Sequence, residues 1–175
     1  MNAETELLEN TRFDLQVIAS WITPGARVLD LGCGNGDLLY YLQREKQVHG
    51  TGIELSESKV ARCIERGLTV LQGDFQEEVH DYPDFSFDFV ILSQTLQQIM
   101  EPRKLIPELL RVGRRVIVSF PNFGHWLVRA QILFTGHAPV TDQLPYEWYD
   151  TPNIRVITIK AVSYTHLTLP TNREV

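Results

Sequence analysis

Apolar residues recur along the chain in short blocks with two different periodicities. Residues 3–22 have leucines and isoleucines near helical spacing, and Pro24 and Gly25 end that segment. Helical spacing returns at 37–46, 56–66 and 102–110. Between these segments lie nearly continuous apolar runs, typical of strands that are buried on both faces, at 27–31, 48–53, 68–72, 87–92 and 115–120.

This alternation predicts an α/β fold with a Rossmann-like, doubly wound and mostly parallel sheet of about five to six strands. Helices of about ten residues between parallel strands form right-handed crossovers. Residues 121–152 differ, because they are rich in proline and glycine around one predicted helix at 125–134. We expect them to cover the carboxyl ends of the strands, where open α/β sheets bind ligands.

A glycine loop follows the first predicted strand and precedes a helix, reading Asp30-Leu31-Gly32-Cys33-Gly34-Asn35-Gly36. Gly32, Gly34 and Gly36 permit a tight turn and a close approach of a ligand to the backbone. A dinucleotide loop requires a small residue where Asp37 stands, and that acid would repel a pyrophosphate. Asp30 suits the ammonium group of S-adenosylmethionine (SAM). The alternative is an ordinary strand-to-helix turn.

Two further strand ends carry residues suited to the same ligand. Glu54 closes the second strand about twenty residues beyond the loop, where a carboxylate can accept both ribose hydroxyls. Asp74 follows the third strand and can accept the adenine amino group, while the Phe75 ring can cover one adenine face. A solvated Glu54 and a core Phe75 are the alternatives. The three motifs together predict SAM as the cofactor.

The side chains predicted to face the methyl group do not decide whether the protein catalyses methyl transfer. Ser93 and Gln94 end the fourth strand, and hydroxyls and amides are poor bases near neutral pH. Ser93 is a further candidate cofactor contact, and Gln94 either orients a substrate or satisfies backbone groups. His125 follows the fifth strand and is the other catalytic candidate, with a place near a helix start as its alternative. No residue spacing indicates a metal site.

Composition narrows the class of protein. The 175 residues suit one domain, and a net charge of −6 disfavours non-specific nucleic-acid binding. The two cysteines do not form a C-x-x-C pair, which favours a reducing compartment. With no recognisable signal peptide and no apolar run of membrane-spanning length, the sequence predicts a cytoplasmic protein. Residues 1–160 read as one coherent SAM-binding domain. Residues 161–175 resemble a translated sequencing-adapter tail and are interpreted as non-native, the alternative being a genuine flexible terminus.

From about residue 10 to residue 160, the chain resembles methionine biosynthesis proteins of the MetW type, in the class I methyltransferase-like superfamily. The glycine loop is common to the superfamily. More specific are Ser93-Gln-Thr-Leu-Gln97, Pro121-Asn-Phe-Gly-His-Trp126 and Leu144-Pro-Tyr-Glu-Trp-Tyr-Asp-Thr-Pro-Asn-Ile154. The resemblance breaks after Lys160, which predicts a C-terminally truncated sheet.

The resemblance implies a role in methionine synthesis beside a homoserine O-acyltransferase of the MetX type. The resemblance does not identify a molecule that would accept the methyl group. Two functions therefore stay open: an accessory or regulatory SAM-binding partner of that enzyme, and an active methyltransferase on an unidentified small molecule. A nicotinamide-dependent oxidoreductase is a third reading, disfavoured by the glycine spacing and by Asp74 and Phe75.

Overall fold

The computed structural model describes residues 13–138, 140 and 150–160. The chain divides into two compact units. The sheet unit contains residues up to Leu96 together with Glu101–Ser119, and the second unit contains Gln97–Met100 and the residues from Phe120 onward. The predicted helical residues 3–12 and the predicted foreign tail at 161–175 lie outside the described residues.

The sheet unit is built on five strands, in the spatial order β3-β2-β1-β4-β5. Every neighbouring pair is parallel, which confirms the predicted sheet. Since β2 and β4 lie on opposite sides of β1, the chain reverses its direction of winding there and opens a crevice at the carboxyl ends. The strands are β1 (Arg27–Leu31), β2 (His49–Glu54), β3 (Thr69–Gln72), β4 (Phe89–Ser93) and β5 (Val116–Ser119).

Helix α1 (Phe13–Trp21) ends one residue before the predicted end of its segment, whose residues 3–12 are not described. Three helices agree with the predicted segments to within a few residues at both ends: α2 (Asp37–Lys46), α3 (Glu57–Glu65) and α5 (Pro102–Val112). The short α4 (Phe75–Glu78) and the single 3₁₀ turns at Val79–Asp81 and Leu96–Gln98 were not predicted. One turn is too short to show a hydrophobic period, so sequence periodicity contains no signal for these elements.

Burial within the sheet follows strand position. Val28, Leu29 and Leu31 of β1 are fully buried, as are Val90 and Ile91 of β4. The outer strands β3 and β5 are only partly covered in the described structure. The central strands therefore fix the register of the sheet, because their side chains are buried on both faces.

The second unit contains α6 (Trp126–Thr135) and the segments that pair around it. The backbone N–H groups of Ile154 and Arg155 both donate to the carbonyl oxygen of Gln97, at 3.0 and 3.1 Å. The N–H of Phe123 donates to the carbonyl oxygen of Ile157 at 3.0 Å. The described parts of the Pro121–Trp126 and Leu144–Ile154 stretches thus lie in this unit, together with Gln97. No helix among the described residues has the length and apolar character needed to cross a membrane.

Candidate functional site

The glycine loop leaves β1 in a conformation that L-residues rarely adopt. Gly32, Gly34 and Gly36 have φ angles of +73°, +60° and +75°. The N–H groups of Gly32 and Cys33 donate to the carbonyl oxygen of Ile53, at 2.8 and 3.2 Å, which ties the loop to the end of β2. Left-handed backbone at three positions explains why glycine occupies each of them.

Gly36 and Gly34 have different surroundings. A Cβ atom on Gly36 would lie 2.4 Å from Leu68 Cδ1 and 2.9 Å from Cys63 Sγ, so this glycine is packed against the core. A Cβ atom on Gly34 would meet no atom within 4 Å. Gly36 therefore serves the packing of the fold, whereas Gly34 leaves open space beside the loop for a ligand.

Glu54 holds the loop from the neighbouring strand. Its Oε2 accepts the N–H of Gly34 at 2.9 Å, and its Oε1 accepts the N–H of Ser56 at 2.9 Å. The residue is only 7% exposed. Each carboxylate oxygen has a second acceptor position. The carboxylate is thus fixed beside Gly34 and can still accept further hydrogen bonds.

Asp30 is the most perturbed carboxyl group of the site. It is 3% exposed, and burial, followed by the negative charge of Glu54, raises its pKa to about 7. An apolar environment disfavours the charged form, and a second carboxylate nearby disfavours it further. A cationic group beside Asp30 would have the opposite effect, so this position favours a positively charged ligand.

Removing the charge of Glu54 tests this electrostatic arrangement. In Glu54→Gln the pKa of Asp30 should fall, because one of the two causes that raise it is gone, and it should stay above 3.8, because burial is the larger cause. Carbon-detected NMR titration of the Asp30 carboxyl measures this shift. Glu57→Gln, on the exposed start of α3, is the matched control and should leave the titration unchanged. An unchanged midpoint in Glu54→Gln would contradict the coupling.

A cavity of about 240 Å³ lies at the loop. Four of the predicted site residues line it: Asp30, Gly32, Gly34 and Ser93. The other residues on its wall are Leu15, Cys33, Asn35, Asp37, Leu38 and Lys59. Leu15 and Lys59 were missed because their sequence signals, a periodic helix leucine and a surface lysine, are those of ordinary structural residues.

An arginine from α3's end also holds the loop and was not predicted. Arg66 Nη1 donates to the carbonyl oxygen of Asn35 at 2.7 Å and to Asp37 Oδ1 at 2.6 Å. Its guanidinium carbon lies 4.4 Å from the centre of the Tyr40 ring, a cation–π contact. Asp37, the acid that disfavours a pyrophosphate, is therefore paired with an arginine 29 residues later in the chain, a contact that local sequence cannot show.

The residues after β3 begin a short helix. Asp74 Oδ1 accepts the N–H of Gln76 at 2.9 Å and so caps α4. The half-buried Phe75 ring borders the loop, since its Cε1 lies 3.9 Å from the position of a Cβ on Gly32. One oxygen of Asp74 thus has a structural role, and the other remains the candidate adenine acceptor.

The end of β4 is bound to the end of β5. Ser93 Oγ lies 3.0 Å from Ser119 Oγ, and the N–H of Gln94 donates to the carbonyl oxygen of Ser119 at 2.9 Å. Gln94 has a φ of +54°, in the left-handed region that non-glycine residues seldom occupy. Such strained backbone is concentrated at functional sites. Gln94 therefore remains a candidate catalytic residue.

His125, in the second unit, has a local structural role. Its Nδ1 accepts the N–H of Leu127 at 3.4 Å, and the residue is the N-cap of α6. The ring is exposed and lies near that of Trp126. This is the role that the sequence left open as the alternative, a residue at a helix start.

Comparison with known proteins points to one family. The sequence pattern of the family described as methionine biosynthesis protein MetW matches residues 12–172. The bifunctional methionine biosynthesis protein MetXA/MetW of Rhodopirellula baltica is 35% identical over 158 residues, which are 85% of this chain and 25% of that protein. The phosphoethanolamine N-methyltransferase 1 of Arabidopsis thaliana is 33% identical over 106 residues, covering 56% of this chain and 21% of that protein.

The chain therefore spans a quarter or less of the length of these two relatives. Among solved structures, a SAM-dependent methyltransferase from Archaeoglobus fulgidus matches with a TM-score of 0.64 and 16% identity. The match covers 95% of this chain and 73% of that one. At this identity the likeness shows the fold, which agrees with the observed strand order.

Proposed function

Because this chain belongs to the family of methionine biosynthesis protein MetW, we propose that it binds SAM at the glycine loop and acts as an accessory or regulatory partner of a homoserine O-acyltransferase. The observation that carries the first part is a pair of buried acids at the glycine loop: Asp30 lines the cavity together with Gly34, and Glu54 accepts the N–H of Gly34. A ligand with a cationic amino acid end and a ribose matches that arrangement.

The donor and acceptor groups of the site suit SAM. Asp30 would hold the ammonium group, since a positive charge relieves the unfavourable burial of its carboxylate. Glu54 would accept the ribose hydroxyls with the acceptor positions that its two backbone contacts leave free. Asp74 and Phe75 would hold the adenine. Gly32, Gly34 and Gly36 shape the loop, and Ser93 would contact the cofactor near the reactive end.

SAM supplies a sulfonium-activated methyl group when it is bound. Near that end the described sheet unit offers Ser93 and Gln94, a hydroxyl and an amide. Neither is an effective proton acceptor at neutral pH. These two side chains therefore favour a protein that binds SAM as a regulatory ligand over an enzyme that depends on a strong general base.

The acyltransferase is proposed as the partner because the Rhodopirellula baltica relative is a single bifunctional chain named MetXA/MetW. Two activities joined in one protein are held at high effective concentration, and a separate chain requires an interface for the same result. The accessory role is tested by following homoserine acylation by the purified enzyme from the same organism, with and without this protein, over a SAM titration. The expected result is an acylation rate that depends on this protein and on SAM. Equal rates in all mixtures would end this proposal.

Methyl transfer is the second candidate function, favoured by the likeness to a phosphoethanolamine N-methyltransferase. A sulfonium is already a good leaving group, so proximity and orientation can promote transfer without a base. Incubation with methyl-labelled SAM and cell extract distinguishes the two candidates. Label transfer above that of a Gly34→Asp control would favour the methyltransferase, and no transfer would favour the accessory role.

A further inference from the structure

Helix α6 exposes an unusual number of large apolar side chains. Within this described helix, Val128 is the one buried residue. Trp126, Leu133 and Phe134 are 68%, 78% and 84% exposed. A surface helix normally turns its apolar side inward and its polar side outward. Contiguous exposed apolar side chains are typical of interaction sites.

One face of α6 also forms an open, mainly apolar surface. Trp126, Ala130 and Leu133 lie at positions i, i+4 and i+7 and so share that face, with Ile132 and Arg129 beside them. Tryptophan and arginine are enriched among the residues that contribute most binding energy in protein interfaces. The face thus combines an apolar centre with a single positive charge.

We propose that this face of α6 docks the acyltransferase partner, through an apolar surface that carries an acidic side chain opposite Arg129. The inference rests on the proposed function for the existence of that partner. In the MetXA/MetW relative the matched region accounts for a quarter of a longer chain. A protein that performs the same role as a separate chain would present the corresponding contact surface to solvent.

The position of Arg129 disfavours a second copy of this chain as the occupant. Arg129 lies near the middle of α6 (Trp126–Thr135). A two-fold contact centred on this face would bring each Arg129 close to its symmetry mate, because the same patch is used by both copies. Like charges brought together at an interface are unfavourable. A hetero-partner with a carboxylate at that point avoids the repulsion.

The test uses the full chain and the purified homoserine O-acyltransferase of the same organism, with binding measured by isothermal titration calorimetry. Leu133→Glu should weaken binding at least about tenfold, since it places a charge at the centre of an apolar contact. Ile64→Glu, at a 61% exposed apolar position on α3, is the matched control and should bind like the wild type. Circular dichroism and SAM binding check that both variants are folded.

The possible results distinguish an error in the proposed binding face from an error in the proposed partner. Weakened binding by Leu133→Glu alone supports the proposed face. Wild-type binding that Leu133→Glu leaves unchanged overturns the assignment of the face and retains the partnership. If light scattering shows a wild-type dimer that Leu133→Glu dissociates, without effect on acyltransferase binding, the face belongs to a second copy and the inference is wrong. No binding by the wild type would overturn the partnership itself and the face with it.

Discussion

Replacing Gly36 with alanine should lower the free energy of unfolding by about 2–5 kcal/mol, combining left-handed backbone strain with overpacking. The φ of +75° is unfavourable for any residue with a Cβ. The added methyl group would overlap Leu68 Cδ1 and would lie 2.9 Å from Cys63 Sγ, so these two buried side chains would have to move within a packed core. Both effects act on the folded state and add to each other.

Urea denaturation followed by circular dichroism measures this loss, and Gly34→Ala is the matched variant. Gly34 has a similar φ of +60°, but its Cβ would meet no atom within 4 Å. It should therefore lose only about 1–2 kcal/mol, the backbone part alone. Its main effect should be on SAM affinity, because the methyl group occupies the open space beside the loop. Equal losses of stability in the two variants would show that packing at Gly36 is not the cause.

Asp30→Asn should stabilise the protein without ligand at alkaline pH and remove SAM binding. In the folded protein the pKa of Asp30 is raised from 3.8 to about 7 by burial and by Glu54. Between these two values the folded state binds more protons than the unfolded state, so stability falls as pH rises and the full cost is present above pH 7. A shift of this size corresponds to a cost on the order of 4 kcal/mol.

The free energy of unfolding of Asp30→Asn should therefore exceed that of the wild type only slightly at pH 4 and by roughly 1–4 kcal/mol at pH 8. Urea denaturation at each pH measures the difference. Added SAM should raise the free energy of unfolding of the wild type and not that of the variant, because the ammonium group of SAM pairs with the ionised carboxylate of Asp30. Asp88→Asn is the control of opposite sign, since hydrogen bonding from the Arg27 backbone lowers the pKa of Asp88. A variant that is less stable than the wild type at pH 8 would refute the assignment to Asp30.

The sequence predicted the parallel sheet and the glycine loop because both depend on local chemistry. Central strands that are buried on both faces have nearly continuous apolar runs, as β1 and β4 do, with Asp30 of β1 as the exception. A left-handed backbone favours glycine, and Gly32, Gly34 and Gly36 are left-handed. Such requirements leave a pattern in a few consecutive residues, which a single sequence is sufficient to show.

The contacts that hold the loop could not be predicted in the same way. Arg66 reaches Asn35 and Asp37 only after α3 has packed beside the loop, and no spacing in the chain marks that arginine. The sequence suggested that Glu54 would face a ligand, but its hydrogen bond with the N–H of Gly34 depends on how β2 pairs with β1. Long-range contacts of this kind require the fold to be known first.

The fixed carboxylate of Glu54 also bears on how a ligand would be selected. Two backbone N–H groups hold both of its oxygens, so its side-chain entropy is lost when the chain folds and not when a ligand arrives. The remaining acceptor positions of its oxygens therefore point in fixed directions, so a ligand with matching donors gains hydrogen bonds without having to order the side chain, and a ligand that lacks them gains none. The geometry of β2 should thus reject nucleosides without ribose hydroxyls more strongly than a mobile carboxylate would.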